Sequence, residues 1–342
     1  MAEQRTRVFV SWRFPDPALP LIQAALDVRL WEGDTPIPRA EFLREIADVA
    51  GVLVSNATEQ LDREAMDASP GLRVISNFGV GVDNVDLLLA TERGILVGNT
   101  PGVLVETTAD HGFALLLAVA RRLTEAQQYV RADRWQGWHP RLLVGQEVYG
   151  ATLGIVGLGA IGTAVARRAA GFNMRIIYAS RTRKPELEQS LGLEWSSLDD
   201  LLPTADFVCL TTALTAETRG LIGKRELALM KPTAVLVNIA RGPIVDPLAL
   251  YDALKAQRIF GAGLDVTDPE PMRGDDPLLT LDNCLIVPHI GSAGAGARAR
   301  MAELAATNLI EGLAGRRPPH LVNPEVWDHS LRRAGDFIVG ND

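Results

Sequence analysis

The run Gly157-Leu158-Gly159-Ala160-Ile161-Gly162 follows directly on the apolar segment Leu153-Gly154-Ile155-Val156 and precedes the helix-compatible TAVARRAAGF. Between a strand and a helix, a GxGxxG run is a site for the pyrophosphate of a dinucleotide. The first glycine permits the tight turn, the second lets the pyrophosphate approach the backbone, and the third lets helix and strand pack closely. The next strand candidate, RIIYAS, ends without the acid that would take a ribose 2′-hydroxyl. Ser180, Arg181 and Thr182 stand there, with Arg183 and Lys184 beyond. A guanidinium with a hydroxyl suits a 2′-phosphate better than a bare hydroxyl, so NADP(H) is the expected cofactor, with NAD(H) possible.

Three further polar groups close strand-like runs: Arg241 after AVLVNIA, Glu270 after GLDVTDP and His289 after LIVP. Spacings of 29 and then 19 positions exclude neighbours on one helix or strand. Only a shared sheet edge would bring the three together, and that edge is where open α/β sheets hold ligands. No HExxH, paired-cysteine or His/Asp cluster points to a metal. His111, His320 and His329 are read as carrying no chemistry, and His139 lies in a tryptophan-containing arm.

The elements that must position these groups alternate strand and helix. β-like runs at 7–10, 51–56, 72–77 and 95–98 form a first α/β unit. The stretch VETTADHGFALLLAVARRL is expected to be one helix, with acids near its start and Arg121 and Arg122 at its end, matching the helix dipole. An irregular arm spans about 129–150, with Trp135 and Trp138. A second series of strands follows, at LGIV, RIIYAS, DFVCLTT, AVLVNIA, GAGLDV and CLIVPH. After Ser292 an Ala-rich helix should be capped by Gly315.

A chain of 342 residues exceeds the usual size of one core, which favours two domains. The expected fold class is α/β: two Rossmann-like or flavodoxin-like parallel-sheet domains, with the active site in the cleft between them. A cofactor domain at 101–290 is inserted in a substrate domain made of 1–100 and 291–342. A formal charge of −8 argues against nucleic acid as a partner. The longest apolar segment, FALLLAVA at 113–120, is too short to span a bilayer, so no membrane partner is expected either. The start MAEQRTRVFV lacks the apolar core of a secretion signal. Cys209 and Cys284, both in strand-like runs, read as buried reduced thiols, and the expected location is cytoplasmic.

VNIARG, GLDVTDPEP and PHIGS resemble the signature segments of the D-isomer-specific 2-hydroxyacid dehydrogenases. VISNFGVGVDNVD, RWQGWHP, YASRTRKPE and DDPLLTLDNCLIVPHIGSA most resemble the glyoxylate/hydroxypyruvate reductases of that family, and the likeness runs from about residue 50 to 323. The stretch after PHIGS, AGAGARAR, departs from the family pattern. The resemblance implies that Arg241 holds the substrate carboxylate and polarises its carbonyl, that His289 is the acid/base, and that Glu270 hydrogen-bonds the imidazole and fixes its tautomer. It assigns the Val80 and Gly81 amides to the substrate carboxylate, beside Asn77. Leu53 and Val54 would form an apolar wall or simply a core strand. Thr108, Ile239, Ala240 and Gly291 would face the cofactor, and Asp265 would accept from its carboxamide.

The implied activity is NAD(P)H-dependent reduction of glyoxylate, hydroxypyruvate or another small 2-keto acid, in a homodimer. Alternatives are a 2-ketogluconate reductase or a phosphoglycerate-type dehydrogenase and, from a different class, a non-catalytic nucleotide-sensing corepressor-like protein. Formate oxidation is disfavoured, because formate dehydrogenases carry an amide where Glu270 stands.

Overall fold

Strands form where apolar and β-branched residues run together, because a parallel sheet is covered on both faces and needs apolar side chains on both. In the computed structural model, which describes residues 5–327, the chain divides into two compact units. One holds the described residues up to Leu104 and from Gly294 on; the other is Val105–Ala293. The expected divisions were 100/101 and 290/291.

The first unit has a five-stranded, all-parallel sheet made of β1 (Arg7–Val10), β2 (Asp27–Leu30), β3 (Gly51–Ser55), β4 (Val74–Phe78) and β5 (Leu96–Gly98), in the order β2-β1-β3-β4-β5. This is the flavodoxin-like order. Phe9, Val52, Val54, Ile75 and Val97 are buried together on one face. The helix Ala295–Leu313 lies along the sheet, with Leu309 and Leu313 over Gly51 and with the Ser76 hydroxyl donating to the Ala305 carbonyl at 2.7 Å. The edge strand β2 was not foreseen. It is half-buried and only four residues long, so the two-sided apolar signal is missing.

The second unit has a seven-stranded parallel sheet: β6 (Thr152–Val156), β7 (Arg175–Ala179), β8 (Glu194–Trp195), β9 (Phe207–Leu210), β10 (Val235–Asn238), β11 (Gly261–Leu264) and β12 (Cys284–Ile286). Its order is β12-β11-β10-β9-β6-β7-β8. Connections therefore run outward in both directions from the β6/β9 pair, the switch point at which such sheets hold nucleotides. Side chains alternate between two cores. Val235 and Val237 pack with the helices Val105–Ala120 and Ala160–Gly171, whereas Leu236 packs with Leu227, Leu250 and Leu254 on the opposite face. Among the described residues no helix is long and apolar enough to cross a membrane.

The expected single helix through Arg122 is two helices. The first ends at Ala120, Arg122 takes a left-handed backbone (φ 53°), and a second helix spans Leu123–Arg131, well into the segment expected to be irregular. Two contacts account for the break. The amide of Gln146 takes the Ala120 carbonyl at 2.8 Å, and the Arg122 guanidinium pairs with Glu125 at 2.6 Å instead of closing the first helix. From Ala132 to Gly150 the arm is irregular, as its glycines, proline and tryptophans suggest.

Candidate active site

The glycine run sits at the C-terminal end of β6, beside β9. Gly157 has φ 97°, and a Cβ there would lie 2.6 Å from the backbone of Thr212. A Cβ on Gly162 would meet the Gly157 carbonyl at 2.4 Å. Gly159 has nothing within 4 Å of where a Cβ would be, and it is the N-cap of the twelve-residue helix Ala160–Gly171. The turn is thus closed on two sides and open on the third, toward the helix N-terminus, whose partial positive charge favours an anion. These features fit a bound pyrophosphate. Leu158 is buried, Ala160 is exposed and Ile161 is half-buried. Thr211, which sequence reasoning passed over, donates its hydroxyl to the Gly157 carbonyl at 2.5 Å and so fixes the turn.

At the end of β7, Ser180 donates to the Thr182 carbonyl at 2.7 Å, and Arg181 and Thr182 are exposed. Arg183 is engaged: its guanidinium pairs with Glu188 at 2.8 Å, and Glu188 also accepts from the Tyr178 hydroxyl at 2.6 Å. Hydrogen bonds from Arg183, and then from Tyr178, hold the Glu188 carboxyl below the usual carboxylate range. Among the described residues neither Arg181 nor Lys184 of this turn has an ion-pair partner at contact distance, and Glu217, whose carboxyl the Thr215 hydroxyl lowers, lies near enough to Arg181 to be lowered by it as well.

The three remaining groups leave the C-terminal ends of three adjacent strands. Asn238 of β10 is in register with Leu264 of β11, and Leu264 with Ile286 of β12. Arg241, Glu270 and His289 stand three, six and three residues past those positions. The buried Asn238, also missed from sequence, shapes the first turn by donating to the Arg241 carbonyl (2.9 Å) and accepting from the Ala240 amide (3.0 Å). Gly242 lets the next loop close over it, since a Cβ would sit 1.9 Å from the Thr267 carbonyl. Glu270 and His289 meet directly, Oε1 to Nδ1, at 2.5 Å, with about 70% of each side chain buried (29% and 30% exposed). The bond at Nδ1 leaves Nε2 as the nitrogen available for chemistry.

Residues 113–291 match the family model of the D-isomer specific 2-hydroxyacid dehydrogenase, NAD binding domain. The chain is 50% identical over 326 residues to the glyoxylate reductase of Thermococcus kodakarensis, covering 94% of this chain and 97% of that protein. The chain belongs to the D-isomer-specific 2-hydroxyacid dehydrogenases. The glyoxylate reductase of Korarchaeum cryptofilum is 49% identical over 323 residues, with the same coverage of each. Among solved structures, a Thermus thermophilus protein matches this dehydrogenase with a TM-score of 0.87 at 48% identity, over 93% of this chain and all of the other. An NADPH-dependent glyoxylate/hydroxypyruvate reductase from Sinorhizobium meliloti, in complex with NADP and malonate, matches with a TM-score of 0.81 at 34% identity, over 94% and 98%. The chain is thus an oxidoreductase acting on a CH–OH group with a nicotinamide cofactor.

Other residues expected in the dehydrogenase site fall into two groups. In the second unit Thr108, Ile239, Ala240 and Gly291 are buried around the β10–β12 ends. Asp265 is 2% exposed, and its carboxylate accepts from the Ile290 amide (2.7 Å) and the Gly291 amide (2.9 Å). In the first unit Leu53 is fully buried within the sheet. Asn77, also fully buried, donates to the Gly81 carbonyl at 2.8 Å and to Asn84 at 2.9 Å, so its side chain shapes the loop that carries Val80 and Gly81.

That loop rests on a polar cluster the sequence did not disclose. Asn84 donates to the Glu59 carbonyl at 2.9 Å. The buried Glu59 carboxyl accepts from Thr58 (2.7 Å), the Ser55 amide (2.8 Å), Ser11 (2.9 Å) and Trp12 (3.0 Å). Burial pushes this carboxyl above its ordinary range, although each of these donors opposes the shift. The amide of His320 is bonded to Asn308 at 3.1 Å, and His139 is exposed in the arm. His329 lies outside the described residues.

Proposed function

We propose that this chain reduces glyoxylate, with hydroxypyruvate as a second substrate, to the corresponding 2-hydroxy acid, and that it prefers NADPH. The observation that carries the reading is the Glu270–His289 pair at 2.5 Å, at the same sheet edge as Arg241. Arg241 presents a planar, permanently charged fork that matches a carboxylate and polarises the adjacent carbonyl. His289 gives the proton at Nε2 to the carbonyl oxygen as the carbon is reduced, and recovers it from the hydroxyl in the reverse direction. Glu270 holds Nδ1 and so fixes the tautomer. When bound, the nicotinamide supplies the hydride. The Asn77–Gly81 loop is assigned to the carboxylate of the substrate. Thr108, Ile239, Ala240, Asp265 and Gly291 are assigned to the nicotinamide end of the cofactor. The glycine run takes its pyrophosphate.

NADPH preference rests on Ser180, Arg181 and Thr182 at the end of β7, where an acid would be needed for a 2′-hydroxyl. Both thiols are pushed up to about 12 by burial, which suits unpaired cysteines in a cytoplasmic setting. The exposed Trp135 and Trp138 support a homodimer.

Absorbance of NADPH or NADH is followed with glyoxylate, hydroxypyruvate and 2-ketogluconate for the native chain and for His289→Asn. The expected result is turnover on the two smaller acids, a lower KM for NADPH than for NADH, and a loss of roughly 10²–10⁴ in kcat for the variant. Turnover on none of the acids would leave the nucleotide-sensing alternative. Undiminished turnover by His289→Asn would remove histidine as the acid.

A further inference from the structure

His289 has φ 50°, a left-handed backbone that a residue with a Cβ adopts only at a cost, so bonds around it must hold the turn. The His289 amide is shared with the Val287 carbonyl at 3.0 Å, and one residue supplies the rest. The carbonyl of Asp265 accepts the His289 amide at 2.9 Å, its Oδ1 accepts the Ile290 amide at 2.7 Å, and its Oδ2 accepts the Gly291 amide at 2.9 Å. Three successive amides, beginning at His289, thus close on Asp265.

A carboxylate buried this deeply needs partners to remain charged, and two amides are a partial set. The remaining partner comes from the helix Val105–Ala120. There His111 places Nε2 3.0 Å from Asp265 Oδ1, with the ring N–H out of line for a hydrogen bond and the buried nitrogen bonded to nothing else. Burial pushes the Asp265 carboxyl up, yet it lies below the ordinary range because His111, and then the Ile290 amide, more than compensate.

We propose that His111 is a positioning residue for the reaction: through Asp265 it fixes the backbone turn that aims His289. The proposal rests on the reading of His289 as the acid/base. Without the imidazole, the carboxylate either takes a proton or turns toward water. In both cases an amide at 290 or 291 loses its acceptor and the turn loosens. The effect is therefore on kcat, with the KM for glyoxylate unchanged; because Asp265 is also assigned to the nicotinamide carboxamide, the KM for NADPH is expected to rise alongside.

The test compares His111→Gln with His111→Asn in the full chain. The amide nitrogen of glutamine reaches about as far as imidazole Nε2, whereas that of asparagine stops near Nδ1. Both are polar replacements at a side chain that is 16% exposed. With glyoxylate and saturating NADPH, His111→Gln is expected to keep kcat within about two-fold, while His111→Asn loses about ten-fold or more at unchanged KM for glyoxylate and equal Tm. Hydrogen exchange of the Ile290 and Gly291 amides, measured without cofactor, is expected to be faster in His111→Asn than in His111→Gln. Equal kcat or equal exchange in the two variants overturns the proposal. His289→Asn, run alongside, separates the two levels: an inactive His289→Asn with matching His111 variants removes only the positioning role, whereas an active one removes the acid itself.

Discussion

Arg241 illustrates why residue type matters more than charge at this site. Its own backbone is tied down by Asn238 and its Nη1 donates to the Ala240 carbonyl at 2.8 Å, so the guanidinium plane is set before any substrate arrives. Lysine would keep the charge and lose both the plane and the paired donors. Arg241→Lys is therefore expected to raise KM for glyoxylate by about 10–100-fold, the equivalent of one charged hydrogen bond of roughly 1.5–3 kcal/mol. NADPH affinity, read from quenching of tryptophan fluorescence, should not move. An unchanged KM for the acid would show that the fork is not what holds the carboxylate. The same logic applies at Arg181, the guanidinium left available once Arg183 is paired with Glu188.

Glu59 works between elements, since its donors come from the ends of β1 and β3 and its carbonyl anchors Asn84. Its carboxyl is raised by burial, so the folded state holds a proton that the unfolded state releases at lower pH. In the window from the ordinary value of 4.5 up to the raised one, the native chain loses stability as pH rises. Glu59→Gln cannot ionise and escapes that loss. Urea midpoints of the two proteins, taken from pH 4.5 upward, are expected to shift in favour of the variant as pH increases. Parallel midpoints would mean that Glu59 is not protonated by its surroundings. Such a cluster is illegible in sequence, because a glutamate after Ser-Asn-Ala-Thr reads as a solvated loop. Thr211 hides for a related reason, since it acts through a backbone group 54 positions away, and so does the grip of Asp265 on the 289–291 turn, while Asn238 reads as one more strand residue although it shapes the turn that follows it. The strands of both sheets were legible wherever two-sided burial enforces an apolar run, and the glycine run was legible because steric closure demands it. β2 and the two-residue β8 were not, since these two edge strands are half-buried and exposed respectively and carry no such run. The break at Arg122 was missed because two arginines at a helix end satisfy the dipole whether or not the helix stops before them.

At the scale of the whole molecule, a net charge of −8 discourages indiscriminate self-association, and yet one segment leaves much apolar surface in water. Leu123, Val130, Trp135, Trp138, Val144 and Tyr149 all lie between residues 123 and 149 and are all more than half exposed, with Trp138 at 86%. Scattered apolar residues on a surface need no account, but a run of this kind, with two indoles, has the composition of an interface core. At roughly 150–250 Å² for each indole and about 25 cal/mol per Å², covering the pair is worth several kcal/mol to each protomer. That gain opposes both the entropic cost of association and a charge repulsion screened within about 8–10 Å at physiological salt. Sedimentation velocity of the native chain should therefore give twice the 36.9 kDa of the protomer. Trp135→Ser combined with Trp138→Ser is expected to sediment as a single chain, with a far-ultraviolet circular dichroism spectrum like that of the native protein. Added salt distinguishes the driving force: an apolar contact holds or tightens as ionic strength rises, whereas one held by ion pairs loosens. A native chain that sediments at 36.9 kDa at every concentration would leave the tryptophans without a partner, and the arm would then need another reason for its composition.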